Sequence, residues 1–168
     1  MLEFTYVMIK PDIMNKEENE KNRIIEDSIN TYNDNGLDII TMDEAVATYE
    51  QVSKHYEHLK DKPFFNDLAS FMSDKILKMI VFGEDAVKKV RDINGPTNVL
   101  KAREESPNSI RAKYGNPDFG PANAVHASDS KESAINEIYN FYNIKINQPK
   151  YANDQELRVK QIVSHKHK

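Results

Sequence analysis

The chain has 168 residues, enough for one domain with a proper core and too few for two ordinary ones. Charged residues make up 30% and hydrophobic ones 39%, and the net charge of -4 speaks against a dedicated nucleic-acid binder, which needs a basic face. There is no cysteine, which excludes disulfides, thiolate metal sites and thiol nucleophiles. No run approaches the roughly 20 apolar residues of a bilayer span, and the amino terminus lacks a secretory pattern, so a cytoplasmic protein with no membrane attachment is expected.

Residues 4–9 form an apolar, β-rich run ended by Lys10-Pro11-Asp12, which predicts a buried first strand. A polar insert, residues 15–22, follows. Ile24, Ile25, Ser28, Ile29 and Tyr32 then recur at helical spacing up to Gly36. Residues 37–49 read as a second strand running into a loop, and residues 50–60 as a helix. On that helix His55 and His58 lie three positions apart, a pattern of a solvated face more than of a metal pair. Residues 63–72 predict a short helix whose apolar side carries Phe64, Phe65, Leu68, Phe71 and Met72.

Residues 76–82 read as a strand and residues 84–94 as a helix stopped by Gly95-Pro96. The long connection from Pro96 to Asn123 shows one helix-like piece, residues 107–114, with Ser106 as cap and Pro107 in the first turn. A connection of this length is functional or disordered, and this one carries Thr97, Lys101, Arg103, Arg111 and Lys113. Asp129 as cap with Glu132 predicts the last helix, whose stripe is Ala134, Ile135, Ile138, Tyr139 and Tyr142. The order favours an α+β fold, a ferredoxin-like βαββαβ sandwich with helices packed on an antiparallel sheet. One domain over residues 1–145 and a polar extension over residues 146–168 are expected. In the extension His165 and His167 alternate, which suits a solvated tail better than a chelating one.

With five glycines and neither G-x-x-x-x-G-K-[ST] nor G-x-G-x-x-G, the chain has no glycine-rich phosphate cradle, so any phosphate binding must use side chains. His126 stands between an apolar run and a helix start. On the local pattern alone it reads either as a nucleophile, since a neutral imidazole attacks phosphorus without a separate base, or as a histidine held by hydrogen bonds at a strand end.

Five segments, taken together and in order, resemble the nucleoside diphosphate kinase family: Tyr6-Val-Met-Ile-Lys-Pro-Asp12, His55-Tyr56 with Leu59-Lys-Asp-Lys-Pro-Phe-Phe65, Gly95-Pro-Thr-Asn98, Ser109-Ile-Arg111 and Asn123-Ala-Val-His-Ala-Ser-Asp-Ser130. The resemblance covers about residues 3 to 142. It implies transfer of the terminal phosphoryl group from a nucleoside triphosphate to a nucleoside diphosphate, by a ping-pong scheme through a phosphohistidine at His126. By the same resemblance Lys10, Arg91 and Arg111 bind phosphate, Thr97 and Tyr56 donate hydroxyls, and Phe64 stacks on the base with Leu68 beside it. Asn123 holds the ribose, and Ser128 and Glu137 orient the histidine. Magnesium is implied with the nucleotide and has no direct protein ligand, although Asp129 suits a contact through water.

Some residues depart from the pattern. Ala127 and Ala112 stand where glycine is usual, and a methyl group is expected to crowd the backbone there. The insert at 15–22 and the longer 98–107 connection resemble the family's divergent branch, which puts a hexameric assembly in doubt while a homo-oligomer remains the expectation. A nucleotide-binding regulatory protein with weak catalysis is the alternative reading, and an RNA-binding module is disfavoured by the acidic charge.

Overall fold

A computed structural model describes residues 1–150; the expectations for the tail, including His165 and His167, fall outside the described residues. The elements run β1 (Leu2–Ile9), α1 (Pro11–Met14), α2 (Glu18–Asp34), β2 (Leu37–Val46), α3 (Tyr49–His55), a 3-10 turn (Glu57–Leu59), α4 (Phe65–Met72), β3 (Lys75–Glu84), α5 (Ala86–Asn94), α6 (Val99–Glu105), α7 (Ile110–Tyr114), β4 (Val125–Ala127) and α8 (Lys131–Tyr142). The four strands form one antiparallel sheet in the order β2-β3-β1-β4, the βαββαβ arrangement expected from the sequence.

Alternation along β1 explains why both faces of the sheet are covered. Phe4, Tyr6 and Met8 point into one core with Val52 of α3, Leu68 and Met72 of α4, and Ile138, Phe141 and Tyr142 of α8. Val7 and Ile9 point the other way, into a core with Ile24 and Tyr32 of α2, Ala86 and Val90 of α5, and Ile110 of α7. A full set of apolar neighbours on each face leaves β1 and β3 almost completely buried. β2 lies at the edge, carries a bulge between Ile39 and Thr41, and exposes Met42 and Val46.

The other edge is short. β4 covers only Val7 to Ile9 of β1. Ahead of it the Ser128 amide donates to the Tyr6 carbonyl (3.0 Å), and the Gln148 side chain both accepts from the Phe4 amide (2.7 Å) and donates to the Phe4 carbonyl (2.8 Å). Ile144 and Ile146 are buried in the first core, so chain beyond α8 packs on the domain.

Several element boundaries differ from expectation for identifiable reasons. β2 stops at Val46 because Thr48 and Gln51 form a capping box that starts α3 at Tyr49. The 50–60 helix is broken at Tyr56 into α3 and the 3-10 turn. More than half of the polar insert is helical: the Glu17 carboxylate accepts from the amides of Asn19 and Glu20 and opens α2 at Glu18. α6 was not expected at all; Asn98 caps it through the Lys101 amide, and Val99 and Ala102 are its buried side. α7 starts at Ile110, not at Pro107, because Ser109 is the residue whose hydroxyl accepts from the Ala112 amide. Ser130 rather than Asp129 caps α8, accepting from Ser133, while the Asp129 carboxylate accepts from the Ser133 hydroxyl.

Ile138 is fully buried where α8 meets β1. Ile138→Ala removes most of that side chain and is expected to cost about 2–5 kcal/mol, seen as a lower urea midpoint with an unchanged slope.

Candidate active site

The site is assembled where the ends of β1 and β4 meet. Lys10 follows β1 directly, and Pro11 in the first turn of α1 turns the chain away at that point. The Lys10 amide donates to the Ala124 carbonyl (2.9 Å), which fixes the approach to β4. Its side chain is 6% exposed, with Nζ donating to Asn123 Oδ1 (2.8 Å) and to the Pro121 carbonyl (3.2 Å). Asn123 Nδ2 passes the connection on to the Thr97 carbonyl (2.9 Å). Burial, and then the Arg111 guanidinium, pull the Lys10 ammonium down to about 8, against the favourable charge of Asp12.

His126 pairs with Met8 across the β1–β4 ladder. Its Nε2 lies 2.6 Å from Glu137 Oε1, and the buried Ser128 hydroxyl donates to the same oxygen (3.0 Å) while accepting from the Tyr6 amide (3.2 Å). The side chains are 20% exposed at His126 and 15% at Glu137. Burial first, and then Lys10 and Arg111, hold the His126 imidazole far below its ordinary range, so it is neutral at pH 7. Burial pushes the Glu137 carboxyl up, opposed by His55 and Ser128. Glu137 is raised to about 7, and in its ionised form it accepts from Nε2–H of the neutral ring, which leaves the Nδ1 lone pair free.

Arg111 joins two backbone segments. Nη1 donates to the Gly95 carbonyl (2.8 Å) and Nη2 to the Val125 carbonyl (2.7 Å), while the buried Nε has no partner among the described residues. Gly95 has φ +84, and a Cβ there would lie 2.3 Å from Ser109 Oγ, so only glycine fits that turn. Arg91 on α5 reaches the Asp129 carbonyl (3.3 Å) from an exposed position, and Thr97 is exposed nearby in the chain. Tyr56 is half-buried beside His55, with burial and Glu137 raising its hydroxyl. Phe64 precedes α4 and is 50% exposed, whereas Leu68 is buried in the first core.

Three hydrogen-bonded groups therefore stand at this end of the sheet: Lys10 with Asn123 and Thr97, Arg111 with the Gly95 and Val125 carbonyls, and His126 with Glu137 and Ser128. Arg91 reaches the Asp129 carbonyl, and among the described residues no side-chain hydrogen bond ties Tyr56, Phe64 or Leu68 to these groups. One neighbour was misread. His55 is not on a solvated face: its ring stands edge-on to His126 with centroids 4.5 Å apart, and also contacts Tyr56 and Phe141. Its signal lay in the adjacent Tyr56 of the quoted motif, not in the spacing to His58, which is exposed.

Residues 3–146 match the family model described as nucleoside diphosphate kinase. The chain belongs to the nucleoside diphosphate kinase family. It is 40% identical to the Aquifex aeolicus nucleoside diphosphate kinase over 82% of this chain and 92% of that one, and 36% identical to the Methanocaldococcus jannaschii enzyme over 84% and 94%. A solved structure of the nucleoside diphosphate kinase from Encephalitozoon cuniculi superposes with a TM-score of 0.74 at 32% identity, covering 92% of this chain and 98% of that one. The Aquifex aeolicus crystal structure gives 0.72 at 38% identity, covering 83% and 94%.

The two alanines that depart from the nucleoside diphosphate kinase pattern lie in ordinary backbone, Ala112 in α7 and Ala127 in β4, so neither is strained by a left-handed conformation. The strain falls on Ala124 instead, at φ 75. Its amide donates to Asp12 Oδ2 (3.0 Å), and Asp12 Oδ1 is buried with no partner among the described residues. Asp12 thus holds the unusual turn that leads into His126. Asp12→Ala leaves the Ala124 amide unpaired and is expected to speed its hydrogen exchange about fivefold or more, the equivalent of one lost hydrogen bond of about 1 kcal/mol. An unchanged rate by NMR would show that Asp12 does not hold the turn.

Proposed function

We propose that the chain transfers the terminal phosphoryl group of a nucleoside triphosphate to Nδ1 of His126, and from there to a second nucleoside diphosphate. The observation that carries this reading is the 2.6 Å contact of Nε2 with Glu137, which commits one ring nitrogen and frees the other. In the first half-reaction the Nδ1–P bond forms, the bond from phosphorus to the bridging oxygen breaks, and the diphosphate leaves. The second half-reaction reverses these steps on the acceptor. No base is needed, because Nδ1 already holds a lone pair; the ring gains positive charge as it attacks, and the Glu137 carboxylate stabilises it through Nε2–H. Ser128 keeps that carboxylate in place.

Lys10 acts as a compact charge beside the transferring oxygens, held by Asn123 and surrounded by protein, where its field is little screened. Arg91 and Arg111 bind phosphate, and the unpartnered Nε of Arg111 is a donor left over for it. Thr97 and Tyr56 supply hydroxyls, Asn123 a ribose contact, and the exposed ring of Phe64 a stacking surface that tolerates any base, with Leu68 behind it in the core. Magnesium fits as an ion carried by the nucleotide: Asp129 is an exposed carboxylate next in sequence to Ser128, suited to contact through water. When bound, the ion screens the phosphate charges.

The same reading places the protein in the cytoplasm as a homo-oligomer. Among the described residues no helix is long and apolar enough to cross a membrane, and the exposed Met42 and Val46 on the β2 edge suit a second copy of the chain. Sizing by light scattering tests the assembly.

Incubation with γ-labelled ATP is expected to give an acid-labile, base-stable phosphoprotein that passes its label to added diphosphates, with His126→Ala abolishing it; absence of label on the wild type overturns the reading. Glu137→Gln is expected to slow phosphorylation about ten- to hundredfold, the range of a charge-assisted hydrogen bond of about 1.5–3 kcal/mol, with little change in nucleotide affinity. Lys10 is charged below its value of about 8 and neutral above it, so kcat/KM is expected to fall as pH rises through about 8. The kcat profile turns at higher pH, because bound phosphates favour the ammonium. Lys10→Arg, which keeps its charge, is expected to remove the alkaline fall; persistence of the same limb in that variant assigns it elsewhere.

A further inference from the structure

His55 is a half-buried titratable group against His126 that the transfer chemistry does not use. Its imidazole makes no hydrogen bond to any described residue, and burial lowers it to about 3, so it is neutral. One ligand atom each from His55, His126 and Glu137 lie within 4.8 Å of one another. A tetrahedral zinc ion with bonds of about 2.0–2.1 Å sets its ligand atoms roughly 3.3 Å apart, so the three side chains need only modest rotation to close on one. Access is available. A cavity of about 300 Å3 between α3 and α8 is lined by His55 and Glu137 together with Glu57, Ser133 and Asn140. Lys54 also borders it, but its ammonium lies over the Tyr139 ring, 5.7 Å from the centroid.

We propose that His55, His126 and Glu137 form a binding site for one borderline-soft transition-metal dication of the zinc type, and that its occupation switches phosphotransfer off. Two imidazoles and a carboxylate are the donor set such an ion selects, whereas magnesium prefers oxygen ligands throughout. The fourth position opens on the cavity and takes water. Inhibition follows from the tautomer. A metal on Nε2 displaces the proton to Nδ1 of the neutral ring, and the lone pair that attacks phosphorus is then occupied by hydrogen; no proton is gained or lost by the ring. The metal also takes the Glu137 carboxylate away from His126. The inhibitory half of the proposal rests on His126 being the phosphoryl acceptor; the binding half does not.

The test uses the full chain with His165→Ala and His167→Ala, so that tail imidazoles take no metal. Co2+ is the probe, because four-coordinate binding to nitrogen and oxygen gives visible absorption bands that aqueous Co2+ lacks. One Co2+ per chain is expected, displaced by Zn2+ and not by Mg2+ at the same concentration. His55→Phe, which keeps a ring against His126, and His55→Gln are both expected to weaken binding by roughly a hundredfold or more, since even an outer partner of a metal ligand is worth about ten- to a hundredfold. Zn2+ is expected to slow labelling by γ-labelled ATP in the parent chain, and to leave each His55 variant at its own metal-free rate. Absence of the Co2+ bands, or equal bands in the His55 variants, overturns the site. His55-dependent bands with undiminished labelling in Zn2+ overturn the switch. Should the metal-free chain take no label while the bands still depend on His55, the phosphotransfer reading falls and the metal site stands.

Discussion

The hydrogen bond between His126 Nε2 and Glu137 joins the two elements on which the rest of the site depends. β4 has three residues, too few to hold a side chain in one orientation by ladder bonds alone, and α8 packs on the opposite core from the loops that precede β4. Bridging them requires α8 to sit at a fixed height on the sheet. That height is set by packing: Ile138, Phe141 and Tyr142 bury against the Tyr6 side of β1, with Tyr6 and Phe141 stacked at 4.9 Å and 7°. Ser128 closes the arrangement by bonding both Glu137 and the Tyr6 backbone, so β1, β4 and α8 define the ring together.

The cations around this bond show the cost of such order. Lys10 is buried against only partial compensation, which is why its ammonium is easier to deprotonate than an ordinary lysine. Two of the three nitrogens of Arg111 serve backbone carbonyls, so the residue that faces phosphate in the proposed mechanism also pins the turn at Gly95 to β4. A site held this way needs little rearrangement when charge moves, and preorganised dipoles and charges are what a phosphoryl transfer uses.

Much of this was legible in the sequence because the signals were local. The β1 run, the helical stripe of α8 and the Gly95-Pro96 stop all depend on neighbours a few positions away, and the matched segments contain Lys10, Thr97, Arg111, Asn123, His126 and Ser128, while Glu137 and Arg91 lie outside them. What escaped was long-range or competitive. The α6 helix rests on one asparagine cap within a charged stretch; the choice of Ser130 over Asp129 depends on the Ser133 hydroxyl engaging the carboxylate; and the partial shelter of His55 comes from ring contacts with His126 and Phe141, the latter 86 positions along the chain. A methyl crowding the backbone is expected from the sequence at Ala112 and Ala127, whereas the alanine held at positive φ is Ala124, just before β4, bonded to Lys10 and Asp12 more than a hundred positions away.

The Gln148 side chain deserves to be read as a piece of strand. A primary amide presents the same donor and acceptor as a peptide bond, and here it serves Phe4 where β4 is too short to reach. Without it, β1 would show an unpaired amide and carbonyl at Phe4, the kind of open edge that recruits a foreign strand. A single side chain from beyond the last helix thus blunts a sticky edge in the middle of the sheet, and it does so without a strand residue that would have to fit the register of the site.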